Sequence, residues 1–151
     1  MKISYRADYA LKAVLDLCFH SGDGNVVPVA DIAKRQDIPL KFLEQILLIL
    51  KKSGYVHSKT GKSGGFLLAK RPDQITPGEI IRIVEGPIEP IACAVPGKKS
   101  GCAEEERCAF QEVWLKVAEA VSSVVDAATF ADIMRRTREL RETKTDYVYH
   151  I

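Results

Sequence analysis

The sequence lacks any uncharged apolar run long enough to cross a bilayer, which would take about 20 consecutive apolar residues. It also lacks the uninterrupted apolar core of a secretory signal, because charged side chains begin at once: Lys2, Arg6, Asp8, Lys12, Asp16 and Asp23. We therefore expect no membrane association and a location in the cytoplasm.

Histidine is scarce as well, and the three that occur do not suggest catalysis. His20 falls at the end of a helical pattern, His57 in a short strand and His150 in the C-terminal tail. No nucleophile is visibly paired with a general base at any of them. The sequence therefore gives no indication of an enzyme.

The net charge is small, at +2, but it is unevenly divided along the chain. From Met1 to Pro72, 12 lysines and arginines stand against 6 acidic residues, whereas from Asp73 to Ile151 the counts are 10 and 14. A basic segment suits a polyanion such as nucleic acid. A randomly uneven solvated surface would look the same, so the asymmetry needs support from a motif.

Three helical patterns open the basic half. Ile3–His20 carries apolar residues at helical spacing, Val29–Gln36 is a short helix, and Leu40–Ser53 is a third helix capped by Gly54. A short helix, a tight turn and a second helix with mixed polar residues outline a helix-turn-helix DNA reader. Helix pairs that do not bind DNA share this outline, so the segment that follows must distinguish the two alternatives.

That segment is a hairpin. Strands at Tyr55–Lys59 and Phe66–Ala69 flank the glycine-rich Thr60–Gly65, which predicts a wing. Gly61-Lys62-Ser63 looks like the end of a P-loop, but Val56 stands where that motif requires its first glycine. We reject nucleotide binding and favour phosphate-backbone contacts by the surrounding cations: Lys51, Lys52, Lys59, Lys62, Lys70 and Arg71.

The acidic half contains two further helical patterns and a loop. Thr76-Pro77-Gly78-Glu79 predicts a capped helix that ends at Gly86-Pro87, and residues 88–101 form a loop longer than packing requires. Glu104–Ala128 predicts a long helix with a broad apolar stripe. That stripe is a candidate dimer interface, although packing against the first helix and a Phe130–Leu140 helix would use part of it.

These patterns predict a mainly α fold with a small β-hairpin. We expect a winged helix-turn-helix DNA-binding domain at residues 1–72, a linking helix and loop at 73–103, and a dimerisation helix with a tail at 104–151.

The four cysteines fall into two kinds. Cys18 lies on the apolar face of the first helix and is most simply a buried small hydrophobe. Cys93, Cys102 and Cys108 span the loop and the following helix start, and they could converge on one ion or cluster. Thiolates favour iron–sulfur clusters, zinc or copper(I), and the first two normally need a fourth ligand. A thiol redox switch and three incidental cysteines remain open alternatives.

Several short motifs, taken together, match one known family: Met1-Lys2-Ile3-Ser4, Asp8-Tyr9-Ala10-Leu11, Phe42-Leu43-Glu44-Gln45, Gly61-Lys62-Ser63-Gly64-Gly65-Phe66, Ile75-Thr76-Pro77-Gly78-Glu79-Ile80-Ile81 and Glu85-Gly86-Pro87. With the three cysteines, they resemble the Rrf family of winged-helix transcriptional regulators over nearly the whole chain. The resemblance implies a homodimer that binds double-stranded promoter DNA.

The resemblance also implies which residues meet DNA. Lys41, Glu44 and Gln45 would face base edges, and Thr60 and Lys62 would enter the minor groove or touch phosphate. The remaining expected DNA contacts are Lys2, Ser4, Pro28, Lys51, Lys59 and Ser63.

A further implication is that the three cysteines ligate a [2Fe-2S] or [4Fe-4S] cluster that senses iron–sulfur status, redox state or nitric oxide. IscR-like members of the family take a histidine three residues after the last cysteine as fourth ligand, where this chain has Gln111. NsrR-like members use an aspartate in the first helix of the partner subunit, and Asp8 matches it. Asp8 would otherwise only favour the N-terminus of its helix through its charge.

A second branch of the family offers an alternative. Glu85-Gly86-Pro87-Ile88 and the ending Tyr147–Ile151 look like CymR, which lacks the cluster cysteines. On that reading the chain regulates cysteine or sulfur metabolism without a cluster, through a regulatory partner protein or thiol oxidation.

Overall fold

The computed structural model describes residues 3–95, 100–103 and 107–146. Within these ranges the chain forms one hairpin and a series of helices: α1 (Tyr5–His20), α2 (Val29–Gln36), α3 (Leu40–Lys52), β1 (Val56–Lys59), β2 (Gly65–Leu68), α4 (Pro77–Glu85), α5 (Ala109–Ala127) and α6 (Phe130–Asp146). Short 3₁₀ turns lie at Gly22–Gly24, Pro72–Gln74 and Ala92–Ala94. The predicted fold class, mainly α with a small β-hairpin, is confirmed.

Local signals in the sequence account for the helix starts. Ser4 caps α1 by accepting a hydrogen bond from the backbone N–H of Ala7 at 3.3 Å. Thr76 and Glu79 form the reciprocal capping box of α4, in which the Thr76 N–H donates to Glu79 Oε2 at 2.9 Å and the Glu79 N–H donates to Thr76 Oγ1 at 3.3 Å.

One hydrophobic core joins the first four helices, the hairpin and the start of α6. Its largest fully buried apolar side chains are Leu17, Ile32, Leu43, Ile46, Leu47, Leu50, Ile75, Ile80 and Phe130. Phe130 is anchored by its backbone N–H, which donates to the carbonyl of Ile75 at 2.9 Å. The chain that follows α5 therefore returns to the core of the N-terminal half.

The hairpin is antiparallel and pairs Val56 with Leu68 at one end and Lys59 with Gly65 at the other. Val27 adds a bridge to the outer edge of β2, where it exchanges two backbone hydrogen bonds of 2.8 Å with Phe66. A Cβ atom at Gly65 would stand 2.2 Å from the Val27 carbonyl oxygen, so this close backbone approach requires glycine.

Helices α5 and α6 differ most from their predicted bounds, whereas α1 starts two residues later and α3 ends one residue earlier than predicted. The long helix α5 begins at Ala109 rather than Glu104, because Arg107 belongs to a 3₁₀ turn and Cys108 is the residue that caps α5. Residues 104–106 lie outside the described ranges. Helix α6 continues to Asp146, six residues past the predicted end, with i, i+3 ion pairs of 2.9 Å on its exposed side, as between Arg136 and Glu139.

Candidate nucleic-acid interface and cysteine loop

The helix-turn-helix unit is fixed to α1 by a buried carboxylate. Asp16 is only 1% exposed and accepts hydrogen bonds from Arg35 Nε at 2.9 Å, Arg35 Nη2 at 2.7 Å and Gln36 Nε2 at 2.9 Å. His20 Nδ1 lies 3.5 Å from the same carboxylate. The hydrogen bond to Asp16 raises the pKa of the Arg35 guanidinium further above its ordinary value. This contact holds the last turn of α2 against α1.

The outer face of α3 carries the predicted base readers. Leu43, Ile46, Leu47 and Leu50 are buried, whereas Lys41, Glu44, Gln45 and Lys51 are exposed. The apolar spacing i, i+3, i+4, i+7 turns the polar positions away from the core. All four predicted α3 contacts are therefore accessible to a partner.

The wing lies beside the start of α2. Pro28, Val29 and Ala30 share an open groove of about 490 Å³ with Ser58, Lys59, Thr60 and neighbouring wing residues. Lys62 and Ser63 are exposed at the tip of the hairpin. The structure thus brings Pro28, Lys59 and Thr60 together from segments about thirty residues apart.

The base of the wing is tied to α4 by Tyr55. The Tyr55 hydroxyl donates to Glu79 Oε1 at 2.9 Å, and Lys70 Nζ lies 3.8 Å from the centre of the Tyr55 ring. Burial is the main reason that the pKa of Tyr55 is raised. Glu79 therefore takes part in both the capping box of α4 and the attachment of the wing, and the sequence motif predicted only the first of these roles.

The start of α1 contains two more predicted site residues. Ser4 donates from its backbone N–H to Glu85 Oε1 at 3.0 Å, and its hydroxyl donates to the same oxygen. Asp8 is partly exposed and forms an ion pair of 2.7 Å with Lys12. Its hydrogen bond is the largest cause that raises the pKa of Lys12. Lys2 lies outside the described residues.

The cysteines occupy the segment between α4 and α5. Cys93 sits in a 3₁₀ turn and is half-buried, Cys102 is exposed, and Cys108 caps α5 without a side-chain hydrogen bond. Gln111 links two of these positions, since its Nε2 donates to the Cys93 carbonyl at 3.4 Å and its backbone N–H donates to the Cys108 carbonyl at 3.0 Å. Cys18 is buried, as predicted.

The sulfur atoms of the three loop cysteines are the type of ligand that a soft metal centre requires. The three loop cysteines are free thiols within one segment, and thiolates are the usual ligands of iron–sulfur clusters. Among the residues that the structure describes, however, no three His, Cys, Asp or Glu side chains come together as a metal-binding group.

Helix α5 has no buried residue over its 19 positions. Its exposed apolar side chains are Phe110, Val113 and Val124, which share one face of the helix, and Leu115, which lies on the opposite face. A helix with such an apolar face is normally covered by another element. Near its end, Arg82 of α4 pairs with Asp126 through two hydrogen bonds of 2.7 and 2.8 Å.

In the described parts of the chain, no helix combines the length and apolarity that membrane crossing requires.

Comparison with known proteins gives one consistent result. A sequence profile described as Rrf2, iron-dependent transcriptional regulator, matches residues 3–136. The chain is 37% identical over 134 residues to the HTH-type transcriptional regulator IscR of Erwinia tasmaniensis, which covers 89% of this chain and 79% of the relative.

Two solved structures are similar across nearly the whole fold. IscR of T. potens superimposes with a TM-score of 0.74 and 31% identity, covering 93% of this chain and 90% of that protein. CymR of B. subtilis, a global cysteine regulator, superimposes with a TM-score of 0.71 and 30% identity, covering 90% and 98%.

Proposed function

We propose, since this chain belongs to the Rrf2 family of DNA-binding transcriptional regulators, that it regulates promoters in response to the state of an iron–sulfur cluster held by its loop cysteines. Family membership confirms the sequence-based prediction of a regulator rather than an enzyme. The observation that carries the sensory part is the set of three free thiols in one segment that adjoins α5.

The DNA-binding surface is proposed to be the outer face of α3 together with the wing. Lys41, Glu44 and Gln45 are exposed on α3, and Lys59 and the wing tip supply cations and hydroxyls for the phosphate backbone. The buried Asp16 contact supports this role, because it keeps the helix-turn-helix unit rigid relative to α1.

Salt dependence tests the DNA surface. Each phosphate contact that is lost should reduce the slope of log affinity against log salt by about 1. We expect this reduction for Lys59→Ala and for Lys62→Ala, and no change for the control Arg136→Ala on the exposed side of α6. Equal slopes for all three variants and the unaltered chain would contradict the proposed wing contacts.

We propose that two chains associate through α5. The exposed apolar face of that helix supports a two-fold dimer, since isologous interfaces pair the same surface on both subunits. Light scattering should give twice the chain mass, and Val124→Glu should halve it. A monomeric unaltered chain would overturn the dimer.

In this dimer Cys93, Cys102 and Cys108 would hold the cluster, and Asp8 of the partner subunit would complete the ligand set. When bound, the cluster would supply a centre that reacts with oxygen or nitric oxide. Gain or loss of the cluster would then change whether these side chains are ligated. Ligation by Asp8 would require its carboxylate to share or leave the 2.7 Å ion pair with Lys12. Cys93 and Cys108 are already linked to each other, because Gln111 donates hydrogen bonds to both of their carbonyl groups.

Anaerobic purification with iron and sulfide analysis tests the cluster. The unaltered chain should be coloured, Cys102→Ala and Asp8→Ala should lose or alter the visible spectrum, and Cys18→Ala should keep it because Cys18 is buried elsewhere. A colourless, iron-free chain that still binds DNA after reconstitution would favour the second candidate.

That second candidate is a cluster-free regulator that responds through thiol oxidation or a partner protein. It is favoured by the similarity to CymR and by the separate positions of the cysteines in the described residues. It predicts that peroxide changes DNA affinity in the iron-free chain and that Cys102→Ala abolishes the change.

A further inference from the structure

Three exposed side chains form a row along the outer face of α3. Phe42, Gln45 and Leu48 are spaced three residues apart, which makes them neighbours on the helix surface. Phe42 is 59% exposed and Leu48 is 51% exposed, although both are large and apolar. The row therefore alternates apolar, amide and apolar groups on the same outer face as Lys41.

The row adjoins an open recess between α3 and α1. The recess has a volume of about 400 Å³ and is lined by Phe42 and Gln45 from α3, by Pro39 before it, and by Tyr5, Arg6 and Tyr9 from α1. Arg6 places a cation beside the row, where a neighbouring phosphate would be favoured.

The major groove of DNA offers matching chemistry. Its apolar group is the C5 methyl of thymine, which phenylalanine and other apolar side chains contact. A glutamine amide pairs with N6 and N7 of adenine. An amide flanked by two apolar groups thus complements an adenine with thymine methyls near it.

We propose that Phe42, Gln45 and Leu48 select an A·T-rich half-site, with Gln45 reading an adenine and Phe42 and Leu48 contacting the methyl groups of nearby thymines. This inference rests on the proposed function, because it requires α3 to enter the major groove. Lys41 and Glu44 then contribute at the neighbouring positions, and the specificity of the half-site depends on the row.

Replacement of thymine by deoxyuridine tests the methyl contacts directly, since it removes the methyl group and leaves the base pair intact. The probe is the tightest duplex enriched from a random pool by the full-length chain, substituted at one thymine at a time. Affinities are measured at one fixed salt concentration, because the phosphate contribution changes with salt.

We expect deoxyuridine at two positions to weaken binding by the unaltered chain about fourfold each, the effect of burying one methyl group. Leu48→Ser should make binding insensitive to deoxyuridine at one of these positions, and Phe42→Ser at the other. Phe42→Leu should remain partly sensitive at its position, because leucine is also apolar. Gln45→Ala should relax the preference for adenine by about fivefold or more.

Leu140→Ser is the matched control, because Leu140 is 53% exposed on α6 and belongs to no part of the row. It should leave every deoxyuridine effect unchanged. Thermal melting of each variant checks that the fold is intact, which we expect for substitutions at exposed positions.

Three results would overturn the inference. Specific DNA binding with no deoxyuridine effect would reject the methyl contacts but leave the proposed function standing. A Phe42→Ser variant that becomes monomeric without a change in thymine preference would place the recess in a subunit interface. Failure of the full-length chain to bind any duplex in a salt-dependent way would reject the proposed DNA surface and this inference with it.

Discussion

Arg82 and Asp126 join α4 to the far end of α5 through two parallel hydrogen bonds of 2.7 and 2.8 Å. Gly78 lies directly beneath them, since a Cβ atom there would stand 1.8 Å from Asp126 Oδ1 and 2.8 Å from Arg82 Nη1. The absence of a side chain at Gly78 leaves room for this ion pair. The ion pair in turn ties the long helix α5 to α4, which packs against α1 and α3.

The effect of Gly78→Ala on the free energy of unfolding should therefore have opposite signs with and without the Asp126 carboxylate. In the unaltered chain the added methyl group displaces the Asp126 carboxylate, and we expect net destabilisation. In an Asp126→Ala background the same change should stabilise by up to about 1 kcal/mol, because alanine favours a helix over glycine. A double-mutant cycle by urea unfolding measures the coupling. Equal effects in the two backgrounds would contradict the contact.

Acid should weaken the same ion pair. Arg82, mainly by hydrogen bonding, holds the pKa of Asp126 below its ordinary value. A carboxylate with a lowered pKa adds stability above its unfolded value of about 3.9 and loses that contribution as the pH falls through the folded value. The stability difference between the unaltered chain and Asp126→Asn should shrink between pH 6 and pH 3. Because both side chains are more than a third exposed, the difference should be well under about 1 kcal/mol.

Removal of the Asp16 carboxylate should cost far more. Asp16→Ala leaves Arg35 and Gln36 without their shared acceptor, and we expect about 2–4 kcal/mol of lost unfolding free energy, since Arg35 is exposed enough to regain some water. Asp73→Ala is the control, because its ion pair with Arg71 is exposed on both sides and should contribute little. Similar losses for the two variants in urea unfolding would argue against a structural role for Asp16.

Gly65→Ala should displace the wing. The added Cβ would stand 2.2 Å from the Val27 carbonyl oxygen, so the bridge between Val27 and Phe66 has to open. We expect at least a tenfold loss of DNA affinity and about 1–3 kcal/mol of stability, the usual cost of overpacking. Gly22→Ala is the matched control, because nothing lies within 4 Å of its added Cβ. Unchanged DNA affinity for Gly65→Ala would show that the wing position does not matter.

The four thiols should differ in reactivity. Burial raises the pKa of Cys18 to about 12, so its thiol stays protonated and inert at pH 8. Iodoacetamide should label Cys93, Cys102 and Cys108 in the iron-free native chain, with Cys102 fastest because it is exposed. Mass spectrometry after tryptic digestion checks this order. Labelling of Cys18 before unfolding would contradict its burial.

Local signals in the sequence predicted most of the elements. The α2 bounds Val29–Gln36 agree with the structure, and the Thr76–Glu79 capping box starts α4 as expected. The predicted start of α5 was wrong, because the charged residues 104–107 favour a helix by propensity but include no apolar residue that would mark where the helix begins, and Arg107 lies in a 3₁₀ turn.

Contacts between distant residues could not be predicted. Periodicity indicates which face of a helix is apolar but not which helix covers it, so the pairs of Asp16 with Arg35 and of Arg82 with Asp126 were missed. A charged residue on the apolar face of α1 was the available signal for Asp16. The exposure of Lys41 and Gln45 did follow from the spacing of the apolar residues in α3.

Phe130 fixes the chain at the C-terminal end of α5, so a tilt of this helix would move its N-terminal end most. Its buried ring and its hydrogen bond to Ile75 hold the chain immediately after α5, whereas Cys108 stands at the opposite end. A 19-residue helix is about 28 Å long, so a tilt of about 2° around the Phe130 end displaces the Cys108 end by about 1 Å. The proposed cluster ligation would act at the end of α5 that lies farthest from Phe130, so a shift of about 1 Å at Cys108 would correspond to a tilt of only about 2° beside α4.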